Sequence, residues 1–212
     1  MDGGGEARVA SGSPALDVVL VGDGLEVPCL DGIPRPYLNL DAAASTSALP
    51  AVATRVDEFL PWYSSVHRGA GRKSQLSTAA YEDAREAILR FGGREGGDDI
   101  AIICRNTTEA INHLAYRLRL GRDDVVVTSV VEHHANLLPW RRVAALRFVE
   151  CEADGTFTTA AVLDALDRDP RPRLLAITGA ATTTGCSLSL HDVLRCARER
   201  GIPVHVDAAQ LA

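Results

Sequence analysis

From about residue 99 onward, short β-branched runs alternate with segments whose apolar residues recur at helical spacing. "DDIAIIC" (98–104) reads as a buried strand. After it, Ile111, Leu114, Ala115 and Leu118 fall at i, i+3, i+4 and i+7, the stripe of an amphipathic helix, with Gly121 as its C′ residue. "VVVTSVV" (125–131) is the next strand, a helix is expected over 137–145, and "LRFVEC" is a further short strand. "TTAAVLDALDRD" reads as a helix closed by Pro170 and Pro172, and "RLLAIT" (173–178) as a strand. Ser189 is expected to N-cap a helix presenting Leu190, Val193, Leu194 and Ala197 on one face, with Gly201 after its end. "IPVHVD" (202–207) is the last strand. Strands spaced by helices imply βαβ units, so the expected class is α/β: a mainly parallel sheet with helices on both faces.

Upstream the rhythm changes. "YLNLDAAAS" reads as an extended lead-in, "ALPAVATRVDEFLPWY" as a helix, and Tyr81, Ala84, Ile88 and Phe91 as a second helical stripe. Between them "SSVHRGAGRKSQLST" (64–78) is polar and glycine-rich and reads as a functional loop. "FGGREGGDD" reads as a turn. The first 14 residues have neither a basic n-region nor an apolar h-region and read as a disordered leader. The expected organisation is a leader over 1–14, an amino-terminal segment over 15–92 and an α/β domain over 93–212.

Composition excludes several classes. A net charge of −6 offers no basic footprint for nucleic acid. No apolar run reaches the roughly 18 residues of a membrane span. Cys29, Cys104, Cys151, Cys186 and Cys196 are scattered, odd in number and free of any CxxC, which suits reduced thiols in a cytoplasmic protein. Of the 22 lysines and arginines, Lys73 alone is a lysine. Chemistry that needs a lysine therefore has one candidate in this chain.

Ligands of open parallel sheets bind outside the carboxyl ends of the strands. The residues that follow the expected strands are "RNTTEA", "EHHAN", "GAATTTG" and "DAAQ", and these four polar clusters should converge on one edge. Thr107 and Thr108 at a helix start could hold a phosphate, or Asn106 and Glu109 could form a capping box there; the two roles are compatible. Asp207 could bond a protonated ring nitrogen or cap the next turn. His133 and His134 could be plain polar-loop residues, metal ligands or a face laid against a planar cofactor. Adjacent side chains diverge and no carboxylate or cysteine stands at ligand spacing, so no metal site is expected.

"EHHANLLPW", "NTTEAIN", "SSVHRG" and "VDAAQ", in this order and spacing, resemble the cysteine desulfurase and selenocysteine lyase group of class V aminotransferase-fold enzymes. The resemblance runs from about Tyr37 to Ala212. It implies an aspartate aminotransferase-like large domain, incomplete at the carboxyl end, with pyridoxal 5'-phosphate (PLP) as cofactor. It also implies a homodimer acting on cysteine or a related amino acid in sulfur metabolism. By that resemblance His133 stacks on the cofactor ring and shuttles protons, Thr107 and Thr108 hold its phosphate, Asp207 pairs with its ring nitrogen, and Gln210 approaches its phenolic oxygen. Ala43, His67 and Arg68 would line the substrate entrance, and His134 has no assigned task.

Two departures qualify the resemblance. Where the family carries Ser-Asn-x-x-Gly, this chain has Ala181 and Thr182; a threonine can still donate one hydrogen bond there, but with a shorter reach than asparagine, which implies changed cofactor tuning or substrate choice. The family's Schiff-base lysine lies in a Ser-x-His-Lys motif beyond the aspartate strand, and no such motif occurs up to Ala212. The expectation is the amino-terminal, cofactor-binding half of a PLP-dependent desulfurase or lyase, either a fragment or one chain of a split enzyme, inactive alone, with a complementary carboxyl-terminal chain or a sulfur-acceptor protein as candidate partners. The rival expectations are a non-catalytic truncated or split protein acting as a binding module, and a class V aminotransferase with another amino-acid substrate. A nucleotide-binding doubly wound domain is disfavoured, because neither GxGxxG nor GxxxxGK[ST] follows a strand.

Overall fold

The structure, a computed structural model, describes residues 18–94 and 97–211. The leader expected over 1–14 and two residues of the turn expected at 91–99 lie outside the described residues. The chain divides between Glu86 and Ala87 into two compact units.

In the amino-terminal unit, β1 (Glu26–Pro28) and β2 (Pro34–Pro36) pair as a short antiparallel hairpin. "YLNLDAAAS" follows without strand pairing. Helix α1 (Pro50–Phe59) starts on a proline, which suits a position whose N–H has no helical acceptor, and runs into a 3-10 turn over Leu60–Trp62. Helix α2 (Arg72–Phe91) carries the expected stripe. It also corrects an expectation, because residues 72–78 are its first two turns and only 64–71 is loop. The hydroxyls explain the difference. Ser74 Oγ donates to Ser65 O at 2.6 Å, Ser77 Oγ accepts from Ser64 N at 2.8 Å, and Thr78 Oγ1 accepts from His67 N at 2.9 Å. Side chains that read locally as loop formers here satisfy the backbone of the preceding loop. Lys73 is exposed in the first turn of α2.

The carboxyl-terminal unit is built from α3 (Thr107–Arg117), β3 (Val125–Thr128), α4 (His134–Val143), β4 (Ala145–Phe148), α5 (Thr159–Asp167), β5 (Leu174–Thr178), α6 (Leu190–Glu199) and β6 (Val204–Asp207). Its strands form one sheet in the order β4-β3-β5-β6, parallel throughout. Alternate residues of the inner strands feed two separate cores, as the two-residue period of a strand requires. Val127, Leu175 and Ile177 pack with Val162 and Leu166 of α5 and Val193 and Ala197 of α6. Val126, Leu174 and Ala176 pack with Ile111 and Ala115 of α3 and Trp140 of α4. The α/β expectation with helices on both faces holds.

Four local expectations change. Residues 98–104 form no strand, and Ile100 and Ile102 are 69% and 71% exposed, because no described strand lies alongside to pair with them. Helix α3 ends at Arg117, and Arg119, not Gly121, takes the left-handed backbone (φ 51°); Gly121 N instead donates to Asp124 Oδ2. Helix α4 starts three residues early because His133 caps it. On α6 the buried face is Val193, Cys196 and Ala197, with Leu194 turned to solvent; Ser189 is the N-cap position without a side-chain bond. Gly201 after α6 does adopt positive φ, and Gly201 N to Arg198 O and Ile202 N to Ala197 O complete a Schellman ending.

The five cysteines are free. Among the described residues no helix is long and apolar enough to cross a membrane. The core assignment predicts that Leu175→Ala costs about 2–5 kcal/mol of stability through cavity formation. Leu194→Ala, on the exposed side of α6, costs about 0.5 kcal/mol or less. Urea denaturation of the two variants checks this contrast.

Candidate functional site

Because β3, β5 and β6 are parallel neighbours, the residues that follow them emerge on one edge of the sheet. That brings together "EHHAN", "GAATTTG" and "DAAQ". Backbone and side-chain bonds join them: Thr178 N donates to Glu132 Oε1 at 3.0 Å and Gly179 N to Asp207 O at 2.9 Å. The fourth cluster, "RNTTEA", follows no strand but opens α3, whose Ile111 and Ala115 pack on the sheet face shared with α4.

Asp207 closes β6 and is 7% exposed. Its Oδ1 accepts from Ala209 N at 3.1 Å, a local cap of the next turn. No arginine or lysine forms an ion pair with it among the described residues. Gln210 is exposed three residues later. Thr182 is exposed in the turn after β5, which is closed by Ala181 N to Cys186 O and Gly185 N to Ala181 O, both 2.9 Å.

His133 is exposed and is the N-cap of α4, with Nδ1 accepting from Ala135 N at 3.1 Å. An accepting Nδ1 leaves the ring proton on Nε2. His134 opens the helix, also exposed, its ring 6.3 Å from that of His133.

At the start of α3 the capping reading is realised. Asn106 Oδ1 accepts from Glu109 N at 2.9 Å, and Glu109 Oε2 accepts from Arg105 N at 2.7 Å. The Arg105 guanidinium bonds the same carboxylate at 2.7 and 3.0 Å. Thr107 and Thr108 stand exposed at the first two helical positions. The cap is compatible with an anion there, because Arg105 neutralises the Glu109 charge and the helix start keeps its positive field.

Ala43, His67 and Arg68 belong to the amino-terminal unit. His67 holds a left-handed backbone (φ 59°), and its Nε2 bonds Glu82 Oε1 at 2.7 Å, with Tyr81 edge-on at 5.6 Å. Arg68 is exposed beside it.

Four residues near these strand ends had no role from the sequence: Glu132, Asn136, Trp140 in the core on α4, and His205 on β6. Glu132 is buried and accepts from Ser129 Oγ (2.6 Å), Thr178 N (3.0 Å) and Asn136 Nδ2 (2.7 Å). Burial pushes its pKa up, against the pull of those three bonds, and the nearby Asp207 charge pushes the same way as burial. His205 lies on β6 against the Trp140 ring (5.6 Å between centroids), and burial lowers its pKa. Glu132, Asn136 and Trp140 stand four residues apart, a helical spacing that could have pointed to a shared face.

Residues 38–212 match the aminotransferase class-V family. The chain is 31% identical over 188 residues to the cysteine desulfurase of Haloferax volcanii, covering 85% of this chain and 43% of that one. It is 34% identical over 185 residues to the cysteine desulfurase of Klebsiella pneumoniae, covering 83% and 45%. Among solved structures, the apo cysteine desulfurase of Thermococcus onnurineus matches with a TM-score of 0.71 at 27% identity, over 79% of this chain and 43% of that one. A cysteine desulfurase of Escherichia coli in its S-sulfonic acid form matches at 0.63 with 32% identity, over 81% and 44%. The chain thus spans less than half the length of these relatives.

The Arg105 hydrogen bonds hold Glu109 well below the usual carboxylate range, from 4.5 to about 2. A depressed folded pKa contributes stability above the unfolded value that is lost as pH falls through the folded one. The support at the start of α3 is therefore lost between pH 4.5 and about 2. Carboxyl NMR titration should place the Glu109 midpoint near the lower value, and Arg105→Ala should return it toward the upper.

Proposed function

The chain belongs to the aminotransferase class-V family, and from that premise we propose that it is the cofactor-holding part of a PLP-dependent cysteine desulfurase acting on cysteine or a related amino acid. The observation that carries this reading is the Asp207 carboxylate: buried at the sheet edge, with one backbone N–H donor and no arginine or lysine in an ion pair with it among the described residues. Such a carboxylate fits a protonated ring nitrogen, whose positive charge would offset its own. When bound, PLP supplies an electron sink for the charge left on a substrate carbon as a bond to it breaks.

The chain's own residues have separable tasks in this proposal. Asp207 keeps the ring nitrogen protonated. Thr107 and Thr108 would hold the phosphate with hydroxyls and helix-start N–H groups. His133 would lay its imidazole on the ring, and its Nε2–H is the group left to exchange a proton with substrate, since Nδ1 is engaged by Ala135 N. Thr182 and Gln210 would bond the phenolic oxygen, the threonine replacing the longer asparagine of relatives. Ala43, His67 and Arg68 would line the substrate entrance, with Glu82 orienting the His67 ring.

The free cysteines support a reducing, cytoplasmic setting. A homodimer is part of the proposal, supported by large apolar side chains left exposed in the amino-terminal unit, Leu38 and Leu40 among them. A sulfur-acceptor protein is the further partner this reading calls for. Lys73, the one lysine in residues 1–212, stands in the first turn of α2 and follows no strand of the sheet, so this reading gives it no part in holding the cofactor.

Equilibrium dialysis against PLP tests the proposal. Asp207→Ala should weaken binding on the order of 10–100-fold, the effect of losing a charged hydrogen bond. A role limited to capping would leave affinity unchanged and cost about 1 kcal/mol of stability. His133→Ala should weaken binding more than His134→Ala; the reverse order means that the stacking residue is misassigned by one position. Borohydride reduction of the 212-residue chain with PLP should leave Lys73 unmodified, and a stoichiometric pyridoxyl adduct there refutes this account of the lysine.

A further inference from the structure

Trp140 sets the polarity of a buried hydrogen-bond chain. Its indole N–H, which can only donate, gives its proton to Asn136 Oδ1 at 3.1 Å. The Asn136 amide is thereby oriented with Nδ2 donating to Glu132 Oε2 at 2.7 Å. The other carboxylate oxygen accepts from the Thr178 backbone N–H at 3.0 Å and from the Ser129 hydroxyl at 2.6 Å. Amide and backbone N–H groups have no lone pair to offer, so Glu132 must accept at both oxygens. An amide in its place could not do this.

Every member of the chain is buried, and no arginine or lysine pairs with Glu132 among the described residues. The carboxylate is held by oriented neutral donors alone, so their direction matters. What they join is specific. Ser129 and Glu132 follow β3, and Thr178 ends β5, 46 positions along the chain. The Trp140 ring lies against His205 of β6, two residues before Asp207. His133 follows Glu132 directly. The carboxylate thus ties the segment after β3, which carries His133, to the end of β5, whose following turn carries Thr182, and Trp140 extends the contact to β6, which ends at Asp207.

We propose that Glu132 is a positioning residue of the cofactor site, its carboxylate oriented by Asn136 and Trp140 so that the His133 segment stays fixed against the ends of β5 and β6. The inference rests on the cofactor reading above and adds a residue that touches neither cofactor nor substrate in it.

The polarity argument gives a test by swapping. Glu132→Gln keeps the size but sets an amide N–H₂ against the N–H₂ of Asn136. Turning Asn136 around only moves the conflict to the Trp140 N–H. Combining Glu132→Gln with Asn136→Asp restores the order: the new amide donates to the new carboxylate, whose second oxygen accepts from Trp140. PLP affinity by equilibrium dialysis, urea stability and protection of the Trp140 indole N–H against solvent exchange are measured for the wild type, both single variants and the double variant. Each single variant should bind PLP roughly tenfold or more weakly and unfold at lower urea. Glu132→Gln, in which turning Asn136 sets its N–H₂ against the indole, should also lose indole protection, whereas Asn136→Asp keeps an acceptor for the Trp140 N–H and sets two carboxylates together instead. The double variant should return to within about threefold of wild-type affinity, with wild-type stability and indole protection. Leu175→Ala, a core variant outside the network, separates positioning from plain destabilisation: it should lose stability yet bind PLP within about threefold of wild type.

Wild-type affinity in Glu132→Gln overturns the inference and leaves the cofactor reading intact. A double variant that recovers stability and indole protection but not affinity also overturns it, because the charge at position 132 would then act on the cofactor directly. Should a single variant fail to fold, the double variant decides: refolding with recovered affinity supports the inference, and failure to recover refutes it. A wild-type chain that binds no PLP defeats the cofactor reading, and the inference falls with it.

Discussion

Parallel pairing of β3 with β5 and of β5 with β6 is the constraint from which the site follows. In a parallel sheet every strand delivers its carboxyl end to the same edge, so side chains 46 and more positions apart become neighbours without any loop having to reach. The pairing is held by apolar burial on both faces. Val126 and Val127, successive residues of β3, are each fully buried in a different core, so neither face of the strand is free to slip toward solvent. Helices α3 and α4 close one side and α5 and α6 the other. The polar edge is left as the place where backbone groups at strand ends seek partners.

At that edge the chain concentrates negative charge. Asp207 and Glu132 are both buried, and neither forms an ion pair with arginine or lysine among the described residues. The two are treated differently by their surroundings. Glu132 is saturated by three donors and knits the strand ends together. Asp207 has one backbone donor on Oδ1, a disposition suited to an incoming cation. A buried carboxylate that is fully bonded organises structure, and one that is not is available for chemistry.

In the proposed site, capping and chemistry share residues. His133 is a helix cap whose engaged Nδ1 fixes where its proton sits. Asn106 and Glu109 close the start of α3 and leave Thr107 and Thr108 outward. Asp207 caps its own turn through Ala209 N. These short-range bonds fix the backbone that carries the atoms proposed to face the cofactor, so a capping role and the proposed role are compatible in each of these residues.

The alternation of strands and helices, the parallel sheet, the polar clusters at strand ends and the family to which the motifs point are legible in the residue order. These are local signals: side-chain periodicity, helix caps, and short motifs whose residues are close along the chain. Which apolar run becomes a strand depends instead on long-range pairing. "DDIAIIC" has the composition of one, but a strand exists only where a neighbour supplies hydrogen bonds, and a neighbour is a non-local fact. The same holds for residues 72–78, whose hydroxyls read as loop chemistry until the backbone of 64–67 comes within reach. Glu132 stood in plain view beside His133. Its importance lies in being buried and bonded to Thr178 N, and burial and a bond across 46 positions come into being only when the strands pair.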